Sequence, residues 1–230
     1  MPVKRPLPLL EIFDRLLARF GPLQWWPAET PFEVCIGAIL TQNTAWTNVE
    51  KAIVNLRQGS MLTPAAIRQC RPEELAELIR PAGYFNVKSQ RLKEFIDWLF
   101  RHHDGSLDLM FAGDWQALRV DLLSVRGIGP ETADSILLYA GHQPTFVVDA
   151  YTRRLFHRLG WLPASAGYDQ TRDLFMTALP SNVPLFNEYH ALIVEQCKRF
   201  CRVRPLCLDC PLAQDCPRIG LAASVKICKN

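Results

Sequence analysis

Leu122-Leu-Ser-Val-Arg-Gly-Ile-Gly-Pro-Glu-Thr-Ala-Asp134 sets two glycines around one isoleucine, between a segment ending in apolar residues and a helix restarting at Pro130. Gly127 and Gly129 can take backbone conformations closed to other residues and leave their N–H groups uncovered. Such groups suit a phosphate oxygen, bound directly or through a monovalent cation, with the dipole of the next helix adding to the attraction. Ile128 is expected to plug into the core and stiffen the turn. A Gly-x-Gly by itself is more readily an ordinary helix–helix turn. The apolar face Ala133, Ile136, Leu137 and Ala140 on the following helix favours a packed helix–hairpin–helix.

Outward from this hairpin the chain keeps a helical period. Leu9, Ile12, Phe13, Leu16 and Leu17 share one face, as do Leu92, Phe95, Ile96 and Leu99. Further helices are expected over 32–40, 46–56, 64–70, 72–79, 115–123, 132–139, 150–159, 169–178 and 185–200, with Pro and Gly at their ends. Nothing alternates long enough to require a sheet. Pro144-Thr-Phe-Val-Val148 is β-branched and apolar but short, and reads as a buried connection. The fold class is all-α, a compact bundle of many short helices without a repeat period.

The 230 residues are 49% hydrophobic, enough to fill a proper core. A net charge of +3 is compatible with a polyanionic partner and far too weak to identify one. No apolar run reaches the length of a membrane span, and the Pro-rich start lacks the pattern of a signal peptide, so the expected location is intracellular, without a membrane partner. Four cysteines crowd into Cys201-x5-Cys207-x2-Cys210-x5-Cys216, while Cys35, Cys70, Cys197 and Cys228 are dispersed. In a reducing compartment that pattern suggests a metal centre rather than a disulfide framework, and both zinc and a cubane cluster are chemically open.

Val125 to Asp134, followed by Phe146-Val-Val-Asp-Ala-Tyr-Thr-Arg-Arg154, resembles the hairpin and catalytic-aspartate segments of the endonuclease III branch of helix–hairpin–helix DNA glycosylases. The resemblance extends through Leu40-Thr-Gln-Asn-Thr44, Gly83-Tyr-Phe-Asn-Val-Lys88 and the terminal cysteines, in order and over nearly the whole chain. It implies two lobes: a helical barrel over residues 30–140, with the hairpin motif at 115–140, and a second lobe from 1–29 and 141–230. DNA carrying a damaged base is the implied partner, and a monomer the implied state. The implied location is the bacterial cytoplasm, at the nucleoid.

The same resemblance implies roles residue by residue. Asp149 matches the catalytic carboxylate, which stabilises positive charge on the sugar as the base leaves; an ordinary helix N-cap is a compatible second duty. Glu131 stands where family members that also cut the backbone carry a Schiff-base lysine, and a carboxylate cannot form an imine. The implied enzyme is therefore monofunctional, with Glu131 either a first-turn acid or a group positioning water or nucleotide. Gln42 matches the residue filling the gap left by the flipped base, and Tyr84 the wedge into the opposite strand. Lys88 and Arg91 are candidate phosphate contacts, alongside Gly127, Ile128 and Gly129 of the hairpin.

Trp25, Trp26 and Trp46 lie near pocket-forming segments, where aromatic faces could sandwich a base; core packing is the plainer alternative. Cation–π stacking would favour a positively charged alkylpurine such as 3-methyladenine over adenine. These tryptophans, with Glu131 and Asp149, are similar to the bacterial 3-methyladenine glycosylases of this branch. The family's loop further implies that Cys201, Cys207, Cys210 and Cys216 hold a [4Fe-4S] cluster, although the first gap here is one residue short and Cys197 is a competing ligand. Lys198, Arg199, Arg202 and Arg204 make this end basic. Two rival readings remain: a glycosylase for mismatched, deaminated or oxidised bases, and a non-catalytic DNA-structure-binding iron-sulfur protein.

Overall fold

The computed structural model describes residues 6–23 and 25–221, so Cys228 lies outside the described residues. Twelve α-helices follow one another in this range: α1 (Leu9–Phe20), α2 (Pro31–Leu40), α3 (Trp46–Gln58), α4 (Pro64–Gln69), α5 (Pro72–Leu78) and α6 (Phe85–His103), then α7 (Leu107–Phe111), α8 (Trp115–Ser124), α9 (Pro130–Ser135), α10 (Ala150–Arg158), α11 (Tyr168–Ala178) and α12 (Val183–Arg199). A 3-10 turn (Arg80–Ala82) precedes α6, and α9 runs on into a π turn (Ile136–Ala140). No strand occurs among the described residues. None of their helices is long and apolar enough to cross a membrane.

The start signals are local. Thr30 and Thr63 each accept a hydrogen bond from the N–H three residues on, at 3.1 and 3.2 Å, with proline as the first helical residue. Asn182 does the same for α12 at 2.8 Å. The helix expected over 132–139 opens into the π turn instead, where Gly141 N donates to Ile136 O across five residues at 3.0 Å.

The chain divides into two compact units, residues 26–143 and residues 1–25 with 144–230. In the first, α2 is buried along its length from Phe32 to Leu40, as expected of a helix apolar on all faces. In the second, α1 turns Leu9, Ile12 and Leu16 inward, and Tyr189 of α12 donates its buried hydroxyl to Leu9 O at 2.7 Å. An aromatic core fills this unit: Phe146 stacks on Phe175 with centroids 3.8 Å apart, and Phe156, Phe186 and Tyr189 meet them edge-on. Thr145 to Val148 are all buried, so the connection leading into Asp149 is anchored by its own side chains.

Candidate active site, hairpin and cysteine loop

The hairpin joins α8 to α9. Arg119 and Asp134 bridge the two helices through two parallel bonds, Nε to Oδ1 at 2.9 Å and Nη2 to Oδ2 at 3.0 Å. Ile128 is 4% exposed and plugs inward, as its sequence context suggests. The glycines differ from the expectation of two special conformations. Gly127 alone is left-handed, at φ +90°, and a Cβ there would meet Arg91 Cγ at 2.5 Å. Gly129 has an ordinary extended backbone at φ −95°, with nothing within 4 Å of a would-be Cβ. The space that a side chain would enter at Gly129 is open. Among the described residues no backbone carbonyl accepts from the N–H of either glycine. Glu131 is exposed in the first turn of α9.

Gln42 is tied to this hairpin. Its Nε2 donates to Gly127 O at 3.0 Å and to Thr132 Oγ1 at 2.9 Å, and its Oε1 accepts from Arg91. Arg91 thus lies across Gly127 and supports Gln42 from inside the same unit. Lys88 corrects the sequence reading, which made it a phosphate contact. It is 1% exposed, and its Nζ donates to Leu40 O and Ala82 O, each at 2.8 Å. Burial, and then the charge of Arg91, push the ammonium down to about 8. Tyr84 is the opposite case: 72% exposed and left-handed at φ 47°, ψ 33°, at the N-cap of α6. A bulky residue rarely stands so, at a cost of about 1–3 kcal/mol, and such strain gathers at functional positions.

The tryptophans do not form one sandwich. Trp26 and Trp46 meet edge to face with centroids 4.9 Å apart, which leaves no room for a base between them. Trp26 also leans on Tyr139 at 5.0 Å. Beside them lies a cavity of about 410 Å³ whose lining includes Glu29, Glu33, Glu50 and Arg57. Glu33 is buried and accepts from Arg57 at 2.8 Å. Trp25 is not among the lining residues; it belongs to the other unit, where the Lys198 ammonium sits 5.5 Å from its ring centroid.

Asp149 caps α10. Its Oδ1 accepts from Thr152 N at 2.7 Å and from Thr152 Oγ1 at 2.9 Å. Its Oδ2 lies 3.7 Å from Nε2 of His190 on α12, beyond hydrogen-bond length. The carboxylate is only 13% exposed. Burial pushes its pKa up, yet His190 first and then Thr152 outweigh it and hold the group below the usual carboxylate range. His190 escaped the sequence reading because a lone histidine on an apolar helix face carries no spacing signal.

All four clustered cysteines line one cavity, together with Arg158 and Gln196. Arg158 Nη1 donates to Cys201 Sγ at 3.3 Å and Gln196 Nε2 to Cys210 Sγ at 3.0 Å. Arg158 further holds Arg202 O at 2.6 Å and Val203 O at 3.1 Å, so α10 carries Asp149 at one end and the cysteine loop at the other. The Cys197 thiol, and after it Arg158, draw the Cys201 thiol down to about 6 against the effect of burial. Cys197 is not among the cavity's lining residues and faces Tyr151 O at 3.5 Å. Among the described residues no three His, Cys, Asp or Glu side chains converge on a single metal ion. Of the basic residues here, Arg199 pairs with Glu195, while Arg202 and Arg204 are exposed.

Comparison with known proteins gives this arrangement a lineage. A protein of Methanocaldococcus jannaschii bearing the provisional name of a DNA repair glycosylase is 46% identical over 209 residues, covering 90% of this chain and 95% of its own. The structure is similar to a 3-methyladenine DNA glycosylase of H. pylori bound to 1,N6-ethenoadenine, with a TM-score of 0.73 and 28% identity over 82% of this chain and 96% of that one. It shares its fold with endonuclease III in a non-covalent DNA complex, at a TM-score of 0.78 and 22% identity over 92% and 96% of the two chains. The model of the HhH-GPD superfamily base excision DNA repair protein matches residues 36–181, well over half the chain. The chain belongs to the HhH-GPD superfamily of base excision repair DNA glycosylases.

Proposed function

We propose that this glycosylase hydrolyses the N-glycosidic bond of an alkylated purine in DNA, 3-methyladenine being the type substrate, and leaves the abasic strand uncut. The observation carrying the reading is Asp149, a nearly buried carboxylate held in its ionised form at the end of an anchored segment. As the bond from C1′ to the base nitrogen breaks, its electron pair moves onto the base and positive charge develops on the sugar. A fixed carboxylate stabilises that charge in a site from which water is largely excluded. Water then adds at C1′ and loses a proton, completing hydrolysis.

An alkylpurine already carries positive charge, so the departing electron pair neutralises it and strong acid catalysis is unnecessary. The cavity beside Trp26 and Trp46 matches such a base: an aromatic face for cation–π contact and three glutamates against one arginine. Glu131 has no amine with which to form an imine, which supports a hydrolase without a lyase step. In this reading the open N–H groups of Gly127 and Gly129 take a DNA phosphate, with a monovalent cation joining when DNA is bound. Tyr84 wedges into the duplex and Gln42 stands at the gap.

Cys201, Cys207, Cys210 and Cys216 suit a [4Fe-4S] cluster. Four sulfurs share one cavity without closing into a single-ion cage, and Arg158 and Gln196 point N–H donors at two of them. Such a cluster would cross-link the loop to α10 and α12. The test is chromatographic: free base released from duplexes bearing one alkylated, deaminated, oxidised or unmodified base. Preferential release of the alkylpurine supports the reading, and preference for any other base overturns it.

A further inference from the structure

Two short segments of the 26–143 unit carry the residues that meet the duplex in the reading above. Thr41 to Thr44 follows α2 and bears Gln42; Gly83 and Tyr84 precede α6. Each contains a non-glycine residue in the left-handed region, Asn43 at φ 54° and Tyr84 at φ 47°. Neither segment belongs to a regular helix, so its geometry must be imposed by what surrounds it.

Lys88 spans both. Its ammonium donates to Leu40 O, the last carbonyl of α2, and to Ala82 O, at the end of the 3-10 turn. Ala82 O also accepts from Thr44 Oγ1 at 2.7 Å, closing a second link between the same two segments. The backbone N–H of Lys88 donates to Tyr84 O at 2.9 Å, the first turn bond of α6, so the side chain that reaches the two carbonyls starts one helical turn from the tyrosine. The cation gains from the negative end of the α2 dipole. It still pays for desolvation, and neither acceptor is a carboxylate. A methionine of similar length would fill the space without burying a charge. What the ammonium adds is a fixed separation between two backbone carbonyls.

We infer that Lys88 is a positioning residue that sets the placement of Tyr84 relative to Gln42, and thereby the extrusion of the target base from paired DNA. This rests on the reading of the chain as an alkylpurine glycosylase. Lys88 touches no reacting atom; it acts through the two segments it clamps. Its effect is confined to substrates in which a base must be taken out of a stacked pair.

The test compares Lys88→Met with the wild-type protein on one alkylated purine, placed in a fully paired duplex and in a single strand, by single-turnover excision. A 2-aminopurine beside the lesion reports on stacking, and thermal melting reports on folding. The expected result is a loss of about tenfold or more on the duplex, equivalent to 1.4 kcal/mol or more, with less than about twofold change on the single strand and a lost 2-aminopurine rise. Thr44→Val, which removes only the hydroxyl link, is expected to shift duplex excision the same way by a smaller factor. It decides the matter if Lys88→Met does not fold. Equal loss on both substrates, or an unchanged duplex rate, overturns the inference. If the wild-type protein raises 2-aminopurine fluorescence yet releases no base, the excision reading fails and the variants' fluorescence alone decides the role of Lys88. No rise and no release overturns both.

Discussion

Asp149 Oδ2 and His190 Nε2 stand 3.7 Å apart, the carboxylate capping α10 and the imidazole buried on α12. The contact joins two elements distant in sequence and counteracts the burial of Asp149. Replacing His190 by Phe removes the largest influence opposing burial and leaves only the two Thr152 bonds, so the Asp149 pKa rises. The acid limb of kcat/KM is expected to move to higher pH, with the neutral-pH fold retained by circular dichroism. A limb that does not move separates His190 from the carboxylate.

The sign for stability follows from the same shift. A carboxylate depressed on folding contributes stability above its unfolded value and loses it as pH falls through the folded value. Asp149→Asn removes that acid-side loss and keeps a competent helix cap, because asparagine caps as well as aspartate. Base release is expected to fall about a hundredfold or more, in the range of a lost electrostatic stabiliser, with duplex affinity changed less than about threefold. A variant that excises normally excludes Asp149 as the catalytic carboxylate.

The two hairpin glycines are expected to respond differently. At Gly127 a methyl group meets Arg91 and the backbone is left-handed, so Gly127→Ala costs about 1–3 kcal/mol of folding stability. At Gly129 there is open space and an ordinary φ, so Gly129→Ala leaves the melting temperature nearly unchanged and weakens duplex binding by covering its N–H. Urea denaturation and a binding isotherm for each variant check the contrast.

For the aromatic cavity, Trp46→Ala is expected to lower kcat/KM on an alkylpurine by about tenfold, within the 1–3 kcal/mol of a base–aromatic stack. Trp25→Ala is expected to do less, since that ring lines no part of the cavity. Equal effects would return Trp25 to the pocket.

Much of this was legible in the sequence, for reasons that differ by residue. Most helices were readable because apolar periodicity and Thr-Pro or Asn-x-Pro starts are local signals, as was the place of Asp149 at the head of α10; α7 was not, being a single short turn with no periodicity to show. The start of α6 at Phe85 was not, because Tyr84 enters it through a left-handed turn that no periodicity announces. Lys88 was misread for a different reason: a lysine is usually solvated, and only tertiary contact shows two carbonyls closing on its ammonium. Three tryptophans close to pocket segments looked alike, yet one packs against Lys198 in the other unit. Edge-to-face contact between the other two is likewise a tertiary fact.

Carboxylate-assisted base release without strand cleavage is open to one decisive assay. A duplex with a single 3-methyladenine, labelled at one end, is incubated with anaerobically purified protein and divided for analysis before and after alkali, with borohydride present in a parallel sample. Free base is expected in both portions, with strand breaks only after alkali and no protein–DNA adduct trapped by borohydride. Strand breaks before alkali together with a trapped adduct, or retention of the methylated base, would contradict it.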